Sequence, residues 1–294
     1  MRKFISYKKE LTLDCFSSNQ QLKKGVKNND VKKVQEWLCL NSILYPHLKQ
    51  VEIDNDFGKI TESAVKDFQA FKNLEIIGTV NTSTFFELTK PLRNSFELND
   101  FPFNNIREAI CRIAFLHFKN TARELTKNKI GNLGPWVRSY CNGYDGDDYW
   151  WCCGFVKTIF DIACDISNTP FTNFMVNSLS CDDVANLAIS KNKLIRNIDL
   201  EDRISEIQPG DIFFKYSPDN GAKWHHIGII TKVETNGIIE TIEGNAANDK
   251  NGNIGDTSNG IGVFSKRRDL FSRKKLTDSE GNQYWDYYEV YKIN

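Results

Sequence analysis

Residues 150–156, Trp-Trp-Cys-Cys-Gly-Phe-Val, place a thiol where an extended or turn segment passes into a helix. Upstream, the acidic run at 145–148 predicts a turn and supplies carboxylates that could cap the helix. A cysteine in the first turn of a helix faces unpaired backbone N–H groups and the positive end of the helix dipole, and both favour a thiolate. Cys152 or Cys153 could therefore be a nucleophile, although free cysteines are also common as small buried side chains.

A histidine opens an alternating strand later in the chain. Residues 226–233 and 238–243 flank the dipeptide Asn236-Gly237, and this pattern predicts a hairpin with a two-residue turn. In that register Thr235 opposes Ile238. The strand section then predicts an antiparallel sheet that also includes residues from 212 and a last strand at 284–293.

The same register brings three polar side chains to one face of the sheet. Gly228 would oppose Asn245, and since side chains alternate with period two, His226, Glu243 and Asn245 would share a face. Either Glu243 or Asn245 could orient the imidazole, and the adjacent His225 is a rival base.

A cysteine, a histidine and a third polar group are the minimum for nucleophilic acyl transfer. The histidine takes the thiol proton and later protonates the leaving amine, while the third group fixes the tautomer of the ring. Gly228 and Gly244 would keep the surroundings open to a substrate.

The N-terminal third of the chain predicts three short helices. Asp30 is expected to cap the first, Asn81 or Thr82 to cap the third, and a Trp and Phe core to join them. An internal echo relates residues 53–58 before Thr61 to residues 77–81 before Thr84, each a tight loop that leads into a helix.

These helices resemble a known wall-binding module. Residues 31–38 and 56–69, with the Asp-x-Phe-Gly, Thr-x-x-Ala-Val and Phe-Gln elements, are similar to the three-helix peptidoglycan-binding domain found beside many cell-wall hydrolases. The resemblance covers about residues 30–93 and makes Asp56 and Phe57 candidates for substrate contact. The alternative is that Asp56 and Phe57 only build the turn.

The C-terminal motifs resemble the CHAP domain (cysteine, histidine-dependent amidohydrolase/peptidase), a papain-like domain related to NlpC-type wall peptidases. The motifs are residues 151–156, 209–211, 226–230 and 243–245. The resemblance implies Cys152 as nucleophile, His226 as base, and Glu243 and Asn245 as the supporting pair. It also makes Asp145, Asp147 and Asp148 candidates for calcium, with helix capping as the alternative; otherwise we expect no cofactor.

The predicted fold is α+β, a small three-helix bundle followed by a papain-like (NlpC/CHAP-type) domain with helices packed on an antiparallel sheet. Residues 91–104 contain two prolines, which indicates a linker. We expect an N-terminal extension at 1–29, the peptidoglycan-binding domain at 30–93, the linker at 94–104 and the CHAP-like domain at 105–294.

Composition excludes several classes of protein. The 294 residues include 38 basic and 38 acidic ones, so the net charge favours neither nucleic acid nor membrane as a partner. The basic run at 266–268, with 273–275, is interpreted as a solvated face, and contact with an acidic wall polymer is the alternative. The eight cysteines have no framework spacing and no CxxC pair, which indicates reduced thiols and disfavours a zinc site. Residues 1–10 do not resemble a secretory signal, so we expect cytoplasmic synthesis and delivery by another system.

The predicted function is hydrolysis of an amide bond in the stem-peptide region of bacterial peptidoglycan, as an N-acetylmuramoyl-L-alanine amidase or an endopeptidase. The enzyme would act on the wall, in the periplasm or outside the cell, either as an endolysin released through a holin or as an antibacterial effector with a secretion apparatus and an immunity protein. The alternatives are a wall-binding protein without activity and a cysteine enzyme that transfers the acyl group to an amine and so forms cross-links.

Overall fold

The structure is a computed structural model that describes residues 14–15, 21–98, 101–219, 224–247, 260–277, 281 and 283–293. The chain forms two compact units. The helical unit comprises described residues of 4–99 and 120–149, and the sheet unit comprises described residues of 100–119 and 150–294. Helices in the first and antiparallel strands in the second confirm the predicted α+β class.

The helical unit contains the three predicted helices and a segment that follows later in the chain. The helices are α1 (Asn29–Leu44), α2 (Lys59–Phe71) and α3 (Thr82–Phe96). Their core is apolar and includes Val34, Trp37, Val65, Phe68 and Leu88. The later segment adds strands β1 (Leu125–Lys127) and β2 (Ile130–Leu133) and the short helix α5 (Pro135–Tyr140). Helix α4 (Ile106–Lys119) precedes this segment and belongs to the sheet unit.

Two details of the helix ends differ from the prediction. Asn28, and not Asp30, caps α1, because its side chain accepts the hydrogen bond of the Val31 N–H at 3.0 Å. Asn81 caps α3 as predicted. Helix α3 then continues through Pro91 to Phe96, two residues past the start of the predicted linker.

The internal echo has a structural basis in two buried glutamines. Gln35 in α1 binds the first loop: its Nε2 donates to the carbonyl of Asp56 at 3.0 Å, and its Oε1 accepts the N–H of Asn55 at 2.9 Å. Gln69 in α2 binds the second loop in the same way, through the carbonyl of Thr79 and the N–H of Gly78, both at 2.9 Å. Each loop is therefore held by an amide side chain from the preceding helix.

Arg138 in α5 ties the later segment to the helical unit. Its guanidinium contacts Asp14 at 2.7 Å, and Glu36 of α1 and Asp145 at 2.6 Å each. Residues 120–149 are thus grouped with the helices, whereas the sequence assigned them to the C-terminal domain. The compact units divide the chain differently from the predicted domains because this grouping depends on contacts between residues far apart in the sequence.

The sheet unit is built on one antiparallel sheet. The strands have the order β3-β9-β4-β5-β6-β7, and β8 pairs with β9. The bounds are β3 (Leu194–Ile195), β4 (Ile212–Tyr216), β5 (Trp224–Val233), β6 (Ile238–Ala246), β7 (Gly262–Asp269), β8 (Lys274–Thr277) and β9 (Gln283–Tyr291).

The described part of the sheet unit also contains four α-helices: α4 (Ile106–Lys119), α6 (Cys152–Ile166), α7 (Cys181–Ser190) and α8 (Leu200–Arg203). Helix α6 packs against α4 and against strands β5 and β6, and all of its residues from Cys152 to Cys164 are buried. Among the helices of the described residues, none is long and apolar enough to cross a membrane.

The β5–β6 hairpin differs from the predicted register at two places. Glu234 bonds to Ile238, so the loop has three residues, and Gly237 adopts a positive φ of 81°. A bulge then interrupts the pairing at Thr231, between Ile230 and Lys232. Each change shifts the register by one residue, and together they restore the predicted face for every side chain beyond the bulge.

Candidate active site

Cys152 is the first residue of α6, where the sequence placed the nucleophile. N–H groups in the first turn have no acceptor inside the helix, and the helix dipole adds partial positive charge at the same end. Cys152 is 3% exposed, and α6 packs against strands β5 and β6 of the sheet. The N-cap is Trp151, and no side chain caps this helix.

His226 and Glu243 form a buried pair on adjacent strands of the sheet. Nε2 of His226 lies 2.8 Å from Oε2 of Glu243, and neither side chain has any exposed surface. Because an ionised carboxylate can only accept a hydrogen bond, Nε2 carries a proton. The other ring nitrogen, Nδ1, has no hydrogen-bond partner among the described residues, and it is the nitrogen that remains for the thiol.

Arg268 is a member of the site that the sequence analysis missed. Its Nε and Nη2 each lie 2.5 Å from an oxygen of Glu243, and its Nη1 lies 3.2 Å from the hydroxyl of Tyr288. Arg268 is fully buried, so the interpretation of 266–268 as a solvated face is wrong for this residue. A run of three basic residues does not show which side chains point into the core, and no other sequence feature indicated that Arg268 is buried.

The charges of the site hold Glu243 ionised. Burial raises the pKa of a carboxyl, but the charge and hydrogen bonds of Arg268, followed by His226, outweigh it and bring the pKa of Glu243 far below its usual range. A bidentate pair of this kind fixes the position of the carboxylate as well as its charge.

Cys152 and His226 form a second, mutually stabilising couple. The hydrogen bond with Cys181 and the interaction with His226 hold the pKa of Cys152 well below its usual range, although burial raises it. Burial lowers the pKa of His226, but the neighbouring Cys152 and Glu243 bring it above its usual value. The arrangement therefore favours a thiolate beside an imidazolium.

The two rival residues have other surroundings. The sulfur of Cys153 is 3.8 Å from the carbonyl oxygen of Ser178, and its side chain is fully buried. Nε2 of His225 lies 2.8 Å from Oδ1 of Asp286, a carboxylate that also contacts Lys215. The ring that interacts with Cys152 and Glu243 is that of His226.

Two family models match the chain. The model of a peptidoglycan binding domain matches residues 27–86, and the CHAP domain model matches residues 144–245. The second domain is a CHAP domain. Searches of curated proteins and of solved structures found no match. The order of the two domains is that of two-domain cell-wall hydrolases, and it supports a hydrolase or binder of peptidoglycan.

Asn245 lies in the CHAP domain next to this site but does not bind the ring nitrogen that Glu243 occupies. It adopts a positive φ of 52°, and its Oδ1 accepts the N–H of Gly260 at 3.3 Å. Its Nδ2 is buried and has no hydrogen-bond partner among the described residues. Of the two residues that could orient His226, Glu243 makes the contact.

The glycines of the CHAP domain hairpin serve packing and not an opening. A Cβ at Gly228 would come within 2.5 Å of the Phe213 ring and 2.7 Å of Cγ of Glu243. A Cβ at Gly244 would come within 2.5 Å of Phe155 on α6. The expectation that they leave room for a substrate is therefore wrong, because side chains of the core already fill that space.

The acidic run before Cys152 makes contacts of its own. Asp145 accepts the N–H of Gly134 at 2.9 Å and pairs with Arg138, and Asp147 accepts the N–H of Gly131 at 2.8 Å. The Asp148 side chain forms no hydrogen bond or ion pair with another described residue. These carboxylates do not cap α6, so the capping alternative is wrong. No group of three or more metal-binding side chains occurs among the described residues, and calcium at this run stays a prediction.

The two candidates for substrate contact differ in accessibility. Phe57 is fully buried in the core of the helical unit and presents no surface to a sugar. The carboxylate of Asp56 is 37% exposed and pairs with Lys27 at 2.7 Å. Both residues build the loop that Gln35 holds, and their part in binding stays a prediction.

Proposed function

We propose that this protein hydrolyses an amide bond in the stem-peptide region of peptidoglycan, with Cys152 as nucleophile and the helical unit as the wall anchor. The proposal rests on one observation: Cys152, at the N-terminus of α6, interacts with His226, which is paired with Glu243, and all three residues are buried. The match to the CHAP domain supports an amidase or peptidase as the reaction class.

The reaction begins with attack of the Cys152 sulfur on the carbonyl carbon of the amide. The tetrahedral oxyanion would lie near the backbone N–H of Cys152, which belongs to the first turn of α6 and has no acceptor within the helix. Nδ1 of His226, protonated in the resting ion pair, gives its proton to the leaving amine. An acyl-thioester on Cys152 and a free amine are formed.

Hydrolysis of the thioester restores the enzyme. Nδ1 of His226 now takes a proton from water, which attacks the acyl carbon, and the Cys152 thiolate leaves. Throughout, Glu243 keeps the second ring nitrogen protonated and the ring in place, and Arg268 keeps Glu243 ionised. The same ring therefore acts first as acid and then as base.

The helical unit raises the concentration of wall polymer at the CHAP domain, since two sites on one chain bind the same polymer. The substrate lies outside the cytoplasm, so the proposal requires an export or release route. A holin-dependent release and a secretion apparatus with an immunity protein both meet that requirement.

The test is mass spectrometry of the material released from isolated peptidoglycan by the wild type, Cys152→Ala and Cys153→Ala. We expect the wild type and Cys153→Ala to release fragments with a new amine terminus, and Cys152→Ala to release none while it still binds the wall. A new L-alanine terminus would identify an amidase, and separated cross-links an endopeptidase. Binding without release by the wild type would favour the non-catalytic alternative, and new cross-links would favour acyl transfer.

A further inference from the structure

Two helices of the sheet unit begin at cysteines whose sulfur atoms are neighbours. Cys152 is the first residue of α6, and Cys181 is the first residue of α7. Their Sγ atoms are 3.9 Å apart, within reach of an S–H···S hydrogen bond. Cys152 is 3% exposed and Cys181 8%, so water does not compete strongly for the contact.

The start of α7 is held in place by hydrogen bonds on both sides of Cys181. The hydroxyl of Ser180 caps the helix and accepts the N–H of Asp183 at 3.4 Å. Oδ1 of Asp182 accepts the N–H of Trp224 at 3.0 Å, at the beginning of the strand that carries His226. The position of the Cys181 sulfur is thus tied to the same strand as the base of the site.

The surroundings decide which of the two sulfurs carries the charge. The groups that act on Cys152 are Cys181, His226 and the backbone N–H of Cys153, whereas those that act on Cys181 are Cys152 and Cys153. The imidazolium of His226 therefore stabilises a thiolate at Cys152. Cys181, next to that negative charge, keeps its proton and can donate it in a hydrogen bond.

We propose that Cys181 is a positioning residue for the nucleophile: its S–H donates to the Cys152 thiolate and holds that sulfur, ionised, at the start of α6. This inference rests on the proposed function and assigns to that site a fifth side chain besides Cys152, His226, Glu243 and Arg268. In the reaction the Cys181 proton is not transferred. The sulfur of Cys152 loses its charge as the carbon–sulfur bond forms, and the hydrogen bond returns when the thiolate leaves.

The experiment measures how the rate of alkylation of Cys152 by iodoacetamide depends on pH. Peptide mass spectrometry with fragmentation separates Cys152 from Cys153, and reductant keeps every thiol reduced before labelling. The variants are Cys181→Ala, which removes the donor, and Cys181→Ser, which keeps a hydroxyl donor. Cys164→Ala is the matched control, since Cys164 is a buried cysteine at the far end of the same helix.

We expect Cys181→Ala to raise the midpoint of the alkylation curve by about one pH unit, the size expected for loss of one hydrogen bond to a charged group. Cys181→Ser should recover most of that shift, and Cys164→Ala should not change the midpoint. The midpoint is the quantity to compare, because the reactivity of a thiolate itself changes with its pKa.

Two results would overturn the proposal: an unchanged midpoint in Cys181→Ala, or a shift in Cys181→Ser as large as that in Cys181→Ala. A purely structural role would lower the melting temperature and leave the midpoint where it is. Alkylation needs no wall substrate, so a shifted midpoint without any released fragment would support the role of Cys181 while contradicting the hydrolase. Fragment release together with an unchanged midpoint would support the hydrolase while contradicting the role of Cys181.

Discussion

At the scale of single residues, the site is a chain of charges that each stabilise the next. Arg268 holds Glu243 ionised, Glu243 holds Nε2 of His226 protonated, and His226 stabilises the thiolate of Cys152. All four side chains are buried, so solvent screens the interactions between them only weakly. The geometry for acid and base chemistry is therefore present before substrate binds.

The first prediction concerns the pH dependence of kcat/KM. The pKa of Cys152 is lowered and that of His226 is raised, so the ion pair exists between the two values and activity is lost below the first and above the second. The acid limb should therefore lie below the usual cysteine pKa of about 8.5, and the alkaline limb above the usual histidine pKa of about 6.5. Rates on solubilised peptidoglycan between pH 4 and 10 would show a bell; a profile with no alkaline limb would contradict the role of His226.

A second prediction concerns the buried pair of Glu243 and Arg268. Arg268→Met should destabilise the fold by about 3 kcal/mol, because it leaves a buried carboxylate without its cation. The double variant Glu243→Leu/Arg268→Met should recover much of that stability, since no buried charge is left unpaired, yet its activity should stay at least about 10²-fold below wild type. Urea denaturation and fragment release measure the two effects. Recovery of activity together with stability would show that Glu243 does not orient His226.

At the scale of elements, the hairpin of β5 and β6 positions the base. Its loop and its bulge each shift the register by one residue, and the face that carries His226 and Glu243 results from their sum. Gly228 allows close packing on this face, because the Phe213 ring and the Glu243 side chain both occupy the space beside its Cα. The hairpin carries His226 and α6 carries Cys152, so these two elements together determine the distance between the imidazole and the thiol.

The prediction at this scale is that Gly228→Ala impairs both stability and activity. The added methyl would push on Phe213 and Glu243, which should cost about 1–3 kcal/mol and lower fragment release at least about tenfold. Gly58→Ala is the control, because a Cβ there meets no atom within 4 Å and the backbone φ of −81° suits any residue. Calorimetry and fragment release test it, and equal effects of the two variants would contradict the packing role of Gly228.

At the scale of the whole molecule, the chain enters the helical unit twice. Residues 120–149 return to it after α4, and Arg138 then neutralises two buried carboxylates, those of Asp14 and Glu36. A fragment cut at the predicted linker would separate these groups. The compact helical unit is therefore larger than the residues 27–86 that match the peptidoglycan binding domain.

We predict that Arg138→Met destabilises the helical unit by about 3–5 kcal/mol, since the buried carboxylate of Asp14 loses its guanidinium partner and that of Glu36 is left with the longer contact to Lys32 at 3.5 Å. Arg203→Met is the control: Arg203 pairs with Glu206 at the surface, and such pairs contribute at most about 1 kcal/mol. Hydrogen exchange of helices α1 to α3 measures the effect. If both variants exchange at the wild-type rate, the segment 120–149 does not stabilise the helical unit.

Much of the molecule followed from local sequence pattern. Neighbours within a few residues determine the helix at Cys152, the three N-terminal helices and the Asn81 cap. They also determine the alternation that puts His226 and Glu243 on one face. The two-residue turn was wrong, yet the face survived, because the loop and the bulge each shift the register by one residue and a total shift of two keeps every side chain on its face. No local pattern announces the bulge.

Only the tertiary structure brought in the remaining groups of the site. Arg268 meets Glu243 across 25 positions, and Cys181 meets Cys152 across 29. In the helical unit, Arg138 likewise meets Glu36 across 102 positions. Periodicity and capping act over one or two turns or strands and cannot specify such contacts. The sequence by itself thus determined which residues could do the chemistry, and the packing of distant segments decided which charges and thiols surround them.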